Sequence, residues 1–135
     1  MNTATARYAG HLRTEATHAA SGTVIQTDAP VDNHGRGEAF SPTDLVSAAL
    51  GSCMMTIMGI VAERHQWDLV DTAFTVQKHM SPEAPRRIAQ VDLNFSLPAA
   101  LAPADRTVLE RAALTCPVAL SLHPDIKQNV TFEYR

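Results

Sequence analysis

The stretch from Ser41 to His65 constrains the fold more than any other part of the chain. Ser41 can cap a helix, Pro42 suits its first position, and Asp44 stands where the acid of a capping box would sit. From there Leu45, Ala49, Cys53, Ile57, Ile60 and Val61 recur at spacings of three and four, which predicts an amphipathic helix running to about His65. Ala48, Met54, Met55 and Met58 widen the apolar stripe until it runs nearly all round. A helix of that kind has no broad face for water. It must be central, with the other elements built about it.

Those elements are short. Residues 3–28 read as strands, with the β-branched run Thr23-Val24-Ile25-Gln26-Thr27 following a Ser21-Gly22 turn signal. Asp28 to Phe40, with Pro30, Gly35 and Gly37, reads as a loop. Asp71 to His79 alternates as a half-buried strand, Ser81 to Pro85 turns, and Arg87 to Leu97 returns with Ile88, Val91, Leu93 and Phe95. A second helix is expected from Ala104 to about Leu114, with Asp105, Arg106, Glu110 and Arg111 as a solvated charged face. Cys116-Pro117 interrupts it, a helical turn Val118–Leu122 follows, and Val130 to Tyr134 closes as a strand. This order indicates an α+β fold, and 135 residues indicate a single domain, 1–135.

Charge and composition exclude several classes of function. The net charge is −3 with no basic stripe, so nucleic acid is not an expected partner. No apolar run is read as approaching the length that crosses a bilayer, and Met1 to Tyr8 lacks the charged head and apolar stretch of a secretory signal. The expectation is a cytoplasmic protein with no membrane partner. The six histidines, His11, His18, His34, His65, His79 and His123, show no ligand spacing, so no metal site is expected.

Two cysteines remain, Cys53 and Cys116. They form neither a CxxC motif nor a four-ligand zinc pattern, which leaves buried inert thiols or a redox pair that meets only in the fold. A reactive pair needs a thiolate, and a free Cys with a pKa of about 8.5 is only ~3% ionised at pH 7. Lowering that pKa by ~2 units, worth ~2.7 kcal/mol, would make the thiolate the major form. Cys53 lies too far along its helix for the N-terminal dipole to help, so it needs a cation from another segment. Cys116 precedes Pro117 and can occupy the cap of the next helical turn, where backbone N–H groups favour an anion. On composition alone the plainest reading of Cys53 is a small core hydrophobe in the row Ser52-Cys53-Met54-Met55.

The segment Ser41-Pro42-Thr43-Asp44-Leu45-Val46-Ser47-Ala48-Ala49-Leu50-Gly51-Ser52-Cys53 resembles the helix that bears the reactive cysteine in the OsmC/Ohr family. The Cys116-Pro117-Val118 step resembles that family's second signature, and both occur in the family's order. The resemblance implies an OsmC-like fold, with strands wrapped around two central helices in an intertwined homodimer. It implies a thiol peroxidase in which Cys53 is peroxidatic and Cys116 resolves it to a disulfide. A small dithiol or a lipoyl-bearing protein would restore the thiols, and turnover would need no cofactor. The family also sets an Arg from an early strand beside the reactive thiolate. Arg13 in His11-Leu12-Arg13-Thr14 falls at the matching position, and Arg36 in the Gly-rich loop is the other candidate.

One position departs from the pattern. The Ohr branch carries a Glu after the helix-start Pro, where it orients the Arg; this chain has Thr43. Thr43 accepts a hydrogen bond but forms no ion pair, which leaves open which acid orients Arg13, with Glu15 and Glu38 as candidates. Thr43, Leu50 and Met54 are the expected substrate contacts. Two other readings predict different chemistry: a non-enzymatic homologue holding a hydrophobic ligand in a cleft near Leu50, Met54 and Met58, and a histidine-based metalloprotein.

Overall fold

A computed structural model describes all of residues 1–135. The chain runs β1 (Ala4–Gly10), β2 (Arg13–His18), β3 (Val24–Asp28), a 3-10 turn (Val31–Asn33), α1 (Pro42–His65), β4 (Ala73–Met80), β5 (Ile88–Leu97), α2 (Pro103–Leu114), α3 (Pro117–Ser121) and β6 (Lys127–Tyr134). The fold is α+β, as the element order indicates. One sheet is β1-β2-β3, antiparallel throughout. The other is β4-β5-β6, antiparallel between β4 and β5 and parallel between β5 and β6. A parallel pair needs a crossover, and α2 with α3 supplies it. The chain forms two compact units, Met1–Val46 and Ser47–Arg135.

The start of α1 is a capping box. The Asp44 N–H donates to Ser41 Oγ at 3.0 Å, and the Ser41 N–H donates to Asp44 Oδ2 at 3.0 Å. The buried row of α1, however, is Ser47, Leu50, Gly51, Met54, Met58 and Ala62. The stripe expected from spacing, through Cys53, Ile57 and Val61, lies one step round and is only half-buried. A helix apolar on nearly every side carries no sequence signal for the face that packs.

The second unit shows what selects that face. Val91, Leu93, Phe95 and Leu97 of β5 are buried, and Phe95 meets both Phe74 and Phe132 with ring centroids 5.5 Å apart. Gly51 sits directly over this cluster. A Cβ there would lie 2.4 Å from the edge of the Phe74 ring, so only glycine allows this approach. Each strand of the sheet turns one row of side chains toward this core and the alternate row away.

Two expectations need correcting. Pro42–His65 is long and apolar enough to cross a membrane by length and composition, with a mean hydropathy of 2.0 over its most apolar window. The weakly polar Ser and Thr and the Gly within it interrupt the apolar residues and hide the length of the uncharged run from a residue-by-residue reading. The charged face assigned to α2 is not simply solvated. Arg106 donates from Nε to the Leu101 carbonyl and from Nη2 to the Ala99 carbonyl, both at 2.8 Å, and lies 4.2 Å from the centre of the Tyr134 ring. The Tyr134 hydroxyl donates to Glu110 at 2.6 Å. Together they fasten α2 to the last strand. At the other boundaries, α3 begins at Pro117 and β6 at Lys127, because polar Lys127, Gln128 and Asn129 extend the parallel ladder opposite Gln90, Val91 and Asp92.

Candidate functional site

Cys53 and Cys116 meet in the second unit. Cys53 lies within α1, half-buried, while Cys116 is fully buried, and both thiols are free. Cys116 is the N-cap of α3, as its place before Pro117 suggests, and its Sγ accepts the Ala119 N–H at 3.3 Å. Burial raises the Cys116 thiol pKa above its ordinary value. A hydrogen bond and charge interaction with Cys53 push the same way, against the backbone N–H groups of Ala119 and Val118. The two thiols are thus direct neighbours. Burial disfavours the thiolate form of Cys116.

Leu50 and Met54, expected as substrate contacts, flank Cys53 on α1 and are completely buried, as is Met58. Of Leu50, Cys53 and Met54, only Cys53 reaches the surface in part. An open concavity of about 500 Å³ lies elsewhere, over Thr75, Gln77, Asp92, Asn94, Asn129 and Thr131, and contains neither cysteine. No group of three or more His, Cys, Asp or Glu side chains is placed to hold a metal ion.

Arg13 and Thr43 belong to the first unit. Arg13 opens β2 directly opposite Asp28, the last residue of β3. Its Nε donates to Asp28 Oδ1 at 2.8 Å and its Nη2 to Oδ2 at 2.9 Å, a bidentate pair. The Asp28 side chain is fully buried, and Oδ2 also accepts the Glu38 backbone N–H at 3.1 Å. The Arg13 hydrogen bond holds the Asp28 carboxyl below its ordinary pKa, outweighing the opposing effect of burial. The same bond raises the Arg13 pKa. Asp28 therefore holds Arg13, and the two acids considered from sequence do not. Glu15 pairs with Arg7 at 3.0 Å, and Glu38 bonds to Asp28 through its backbone.

Asp28 had one sequence signal, an acidic residue ending a β-branched strand, but its partner depends on strand register. Arg36 is exposed and adds to the lowering of the Asp28 pKa only through its charge. Thr43 is half-buried at the start of α1, its hydroxyl 3.2 Å from that of Ser41.

The profile of the OsmC-like protein family matches residues 35–131, a span that includes both cysteines. Among solved structures, one from Psychrobacter arcticus, named as an osmotic stress induced and detoxification response protein, is 46% identical. It superposes with a TM-score of 0.94 over 98% of this chain and 96% of that one. An organic hydroperoxide resistance protein OsmC from Legionella pneumophila shares the fold at 18% identity, with a TM-score of 0.75 over 98% of both chains. An organic hydroperoxide resistance protein from Elizabethkingia anophelis does so at 15% identity, with a TM-score of 0.77 over 100% of this chain and 98% of that one. No curated protein sequence matches the chain. The paired signatures around Cys53 and Cys116, the two three-stranded sheets and the profile match agree, and the chain belongs to the OsmC-like protein family.

Proposed function

We propose that this protein is a thiol peroxidase that reduces organic hydroperoxides, and hydrogen peroxide as well, through a Cys53–Cys116 disulfide cycle. The observation that carries this reading is the pairing of the two thiols, one half-exposed and one buried, from distant parts of the sequence. Family membership supports a redox role, and members of the same fold are named for organic hydroperoxide resistance.

In the proposed cycle the Cys53 thiolate attacks one peroxide oxygen and the O–O bond breaks. An alcohol leaves once its oxygen is protonated, and Cys53 becomes a sulfenic acid. Cys116 sulfur then attacks Cys53 sulfur, water departs, and a disulfide forms. A dithiol, either small or carried as lipoyl on a protein, reduces that disulfide. The peroxide gains two electrons, and the two thiols supply them. No cofactor takes part.

Arg13 is assigned the role of stabilising the reacting thiolate and peroxide, with Asp28 fixing the plane of its guanidinium. Thr43, Leu50 and Met54 are assigned to the substrate side of the site, Leu50 and Met54 as the floor beneath Cys53. The working unit is taken to be a homodimer of one domain, residues 1–135, in the cytoplasm. The test is consumption of cumene hydroperoxide with dithiothreitol as reductant. Turnover that disappears in Cys53→Ser supports the reading, and a wild-type protein that consumes no peroxide refutes it.

A further inference from the structure

A buried thiol that keeps its proton is a poor nucleophile, because the thiolate is the form that attacks sulfur. Cys116 is in that position: it is fully buried, and its pKa lies above the ordinary value. Yet the resolving step in the cycle proposed above requires it to attack. Cleavage of the O–O bond has the complementary problem. The departing oxygen leaves as a strong base, because its conjugate acid is an alcohol or, in the simplest case, water. A proton must arrive as that bond breaks.

We propose that Cys116 is the general acid of the first half-reaction: its S–H protonates the oxygen that leaves, and the thiolate so formed is the nucleophile of the second. The inference rests on the peroxidase reading and adds a role for Cys116 before resolution begins. Its geometric basis is threefold. Cys116 is close enough to Cys53 for the two thiols to share a hydrogen bond, so an S–H donor stands beside the reacting sulfur. It has no exposed surface through which to lose that proton to solvent beforehand. Its Sγ already accepts the Ala119 N–H at 3.3 Å, a bond that strengthens when the sulfur becomes an anion.

The balance is complete without another reactant. Cys53 thiolate, hydroperoxide and Cys116 thiol become Cys53 sulfenic acid, alcohol and Cys116 thiolate. That thiolate then attacks Cys53 sulfur, the S–O bond breaks, and hydroxide leaves and is protonated by solvent. One proton transfer thus assists the leaving group and prepares the next nucleophile.

Iodoacetamide separates this role from simple resolution, because iodide leaves without a proton. Single-turnover consumption of tert-butyl hydroperoxide and alkylation of Cys53 by iodoacetamide are measured in wild type, Cys116→Ser and Cys116→Ala. General acid catalysis contributes about 10²–10⁴-fold, so the ratio of peroxide rate to alkylation rate is expected to fall by about 100-fold in both variants. A ratio unchanged from wild type overturns the proposal, since a residue that acts only after the sulfenic acid forms cannot alter the first step.

The unmodified protein provides a second measurement, independent of whether the variants fold. Solvent deuterium is expected to slow the first turnover with tert-butyl hydroperoxide but not with peracetic acid, whose carboxylate leaves without help. Equal isotope effects on the two substrates count against proton donation by Cys116. A wild type that consumes peroxide while failing these tests sinks only the acid role, whereas one that consumes none sinks the peroxidase reading itself.

Discussion

The Arg13 guanidinium and the Asp28 carboxylate face each other across the ends of β2 and β3, joined by two hydrogen bonds of 2.8 and 2.9 Å. The carboxylate is fully buried, and the Glu38 N–H completes its shell. Two parallel bonds fix the plane of the guanidinium as well as its position. Where the Ohr branch relies on a Glu after the helix-start Pro, this chain has Thr43 and a different carboxylate holds Arg13. The same residue closes the base of the loop that leads to α1, because the Asp28 backbone N–H donates to the Phe40 carbonyl at 3.1 Å.

Asp28→Asn tests the structural half of this pairing. The folded-state pKa of Asp28 is lowered, so the stability it contributes is present above the ordinary carboxylate range and lost as pH falls through the folded value. The variant should melt at a lower temperature than wild type at pH 7. The gap between them should close in acid. Thermal melts across pH check both statements, and a gap that persists unchanged below pH 3 contradicts them.

The functional half is a double-mutant cycle. Arg13→Ala is expected to lower kcat/KM for hydroperoxide by about 100-fold, the scale on which loss of one preorganised donor is felt. Asp28→Asn should cost less. The double variant should be no worse than Arg13→Ala alone, because Asp28 acts through Arg13. Losses that multiply would show two independent roles.

Gly51→Ala should destabilise the protein despite alanine's better helix propensity. The propensity gain is about 1 kcal/mol, whereas forcing a methyl group against a packed ring costs about 1–3 kcal/mol. The Cβ would stand 2.4 Å from Phe74, which is itself packed on Phe95. A net loss of about 1 kcal/mol in urea unfolding is expected, and a stabilised variant would show that the ring moves aside freely.

Tyr134→Phe removes the hydroxyl that donates to Glu110 at 2.6 Å. The loss should be about 1.5–3 kcal/mol, the usual net value of a hydrogen bond to a charged group. Burial, and then the Glu110 hydrogen bond, raise the Tyr134 pKa above its ordinary value. Its contribution is therefore complete below about pH 10 and fades as pH rises beyond that. Wild type should lose stability in alkali more steeply than the variant, as urea titrations at pH 8 and pH 11 would show.

Much of this architecture was legible in the sequence, for local reasons. Ser41, Pro42 and Asp44 specify the start of α1 within four residues, and the Cys116-Pro117 step specifies the cap of α3. What escaped depended on distance along the chain. The partner of Arg13 follows from the β2–β3 register. The true environment of Arg106 and Glu110 requires Tyr134, at the far end of the sequence, to return beside α2. The packed face of α1 is set by the Phe74 ring under Gly51, since the helix itself is apolar on nearly all sides. The nearness of Cys53 and Cys116 was expected from family resemblance, because no spacing rule joins two residues so far apart.

Whether the disulfide cycle operates is decided by counting thiols after adding one equivalent of cumene hydroperoxide to the fully reduced protein, with mass spectrometry to locate the products. Loss of both thiols is expected in wild type with an intramolecular Cys53–Cys116 disulfide, and a sulfenic acid trapped on Cys53 is expected in Cys116→Ser. Two thiols still titrating in wild type, with no oxygen added to Cys53 in the variant, would contradict it.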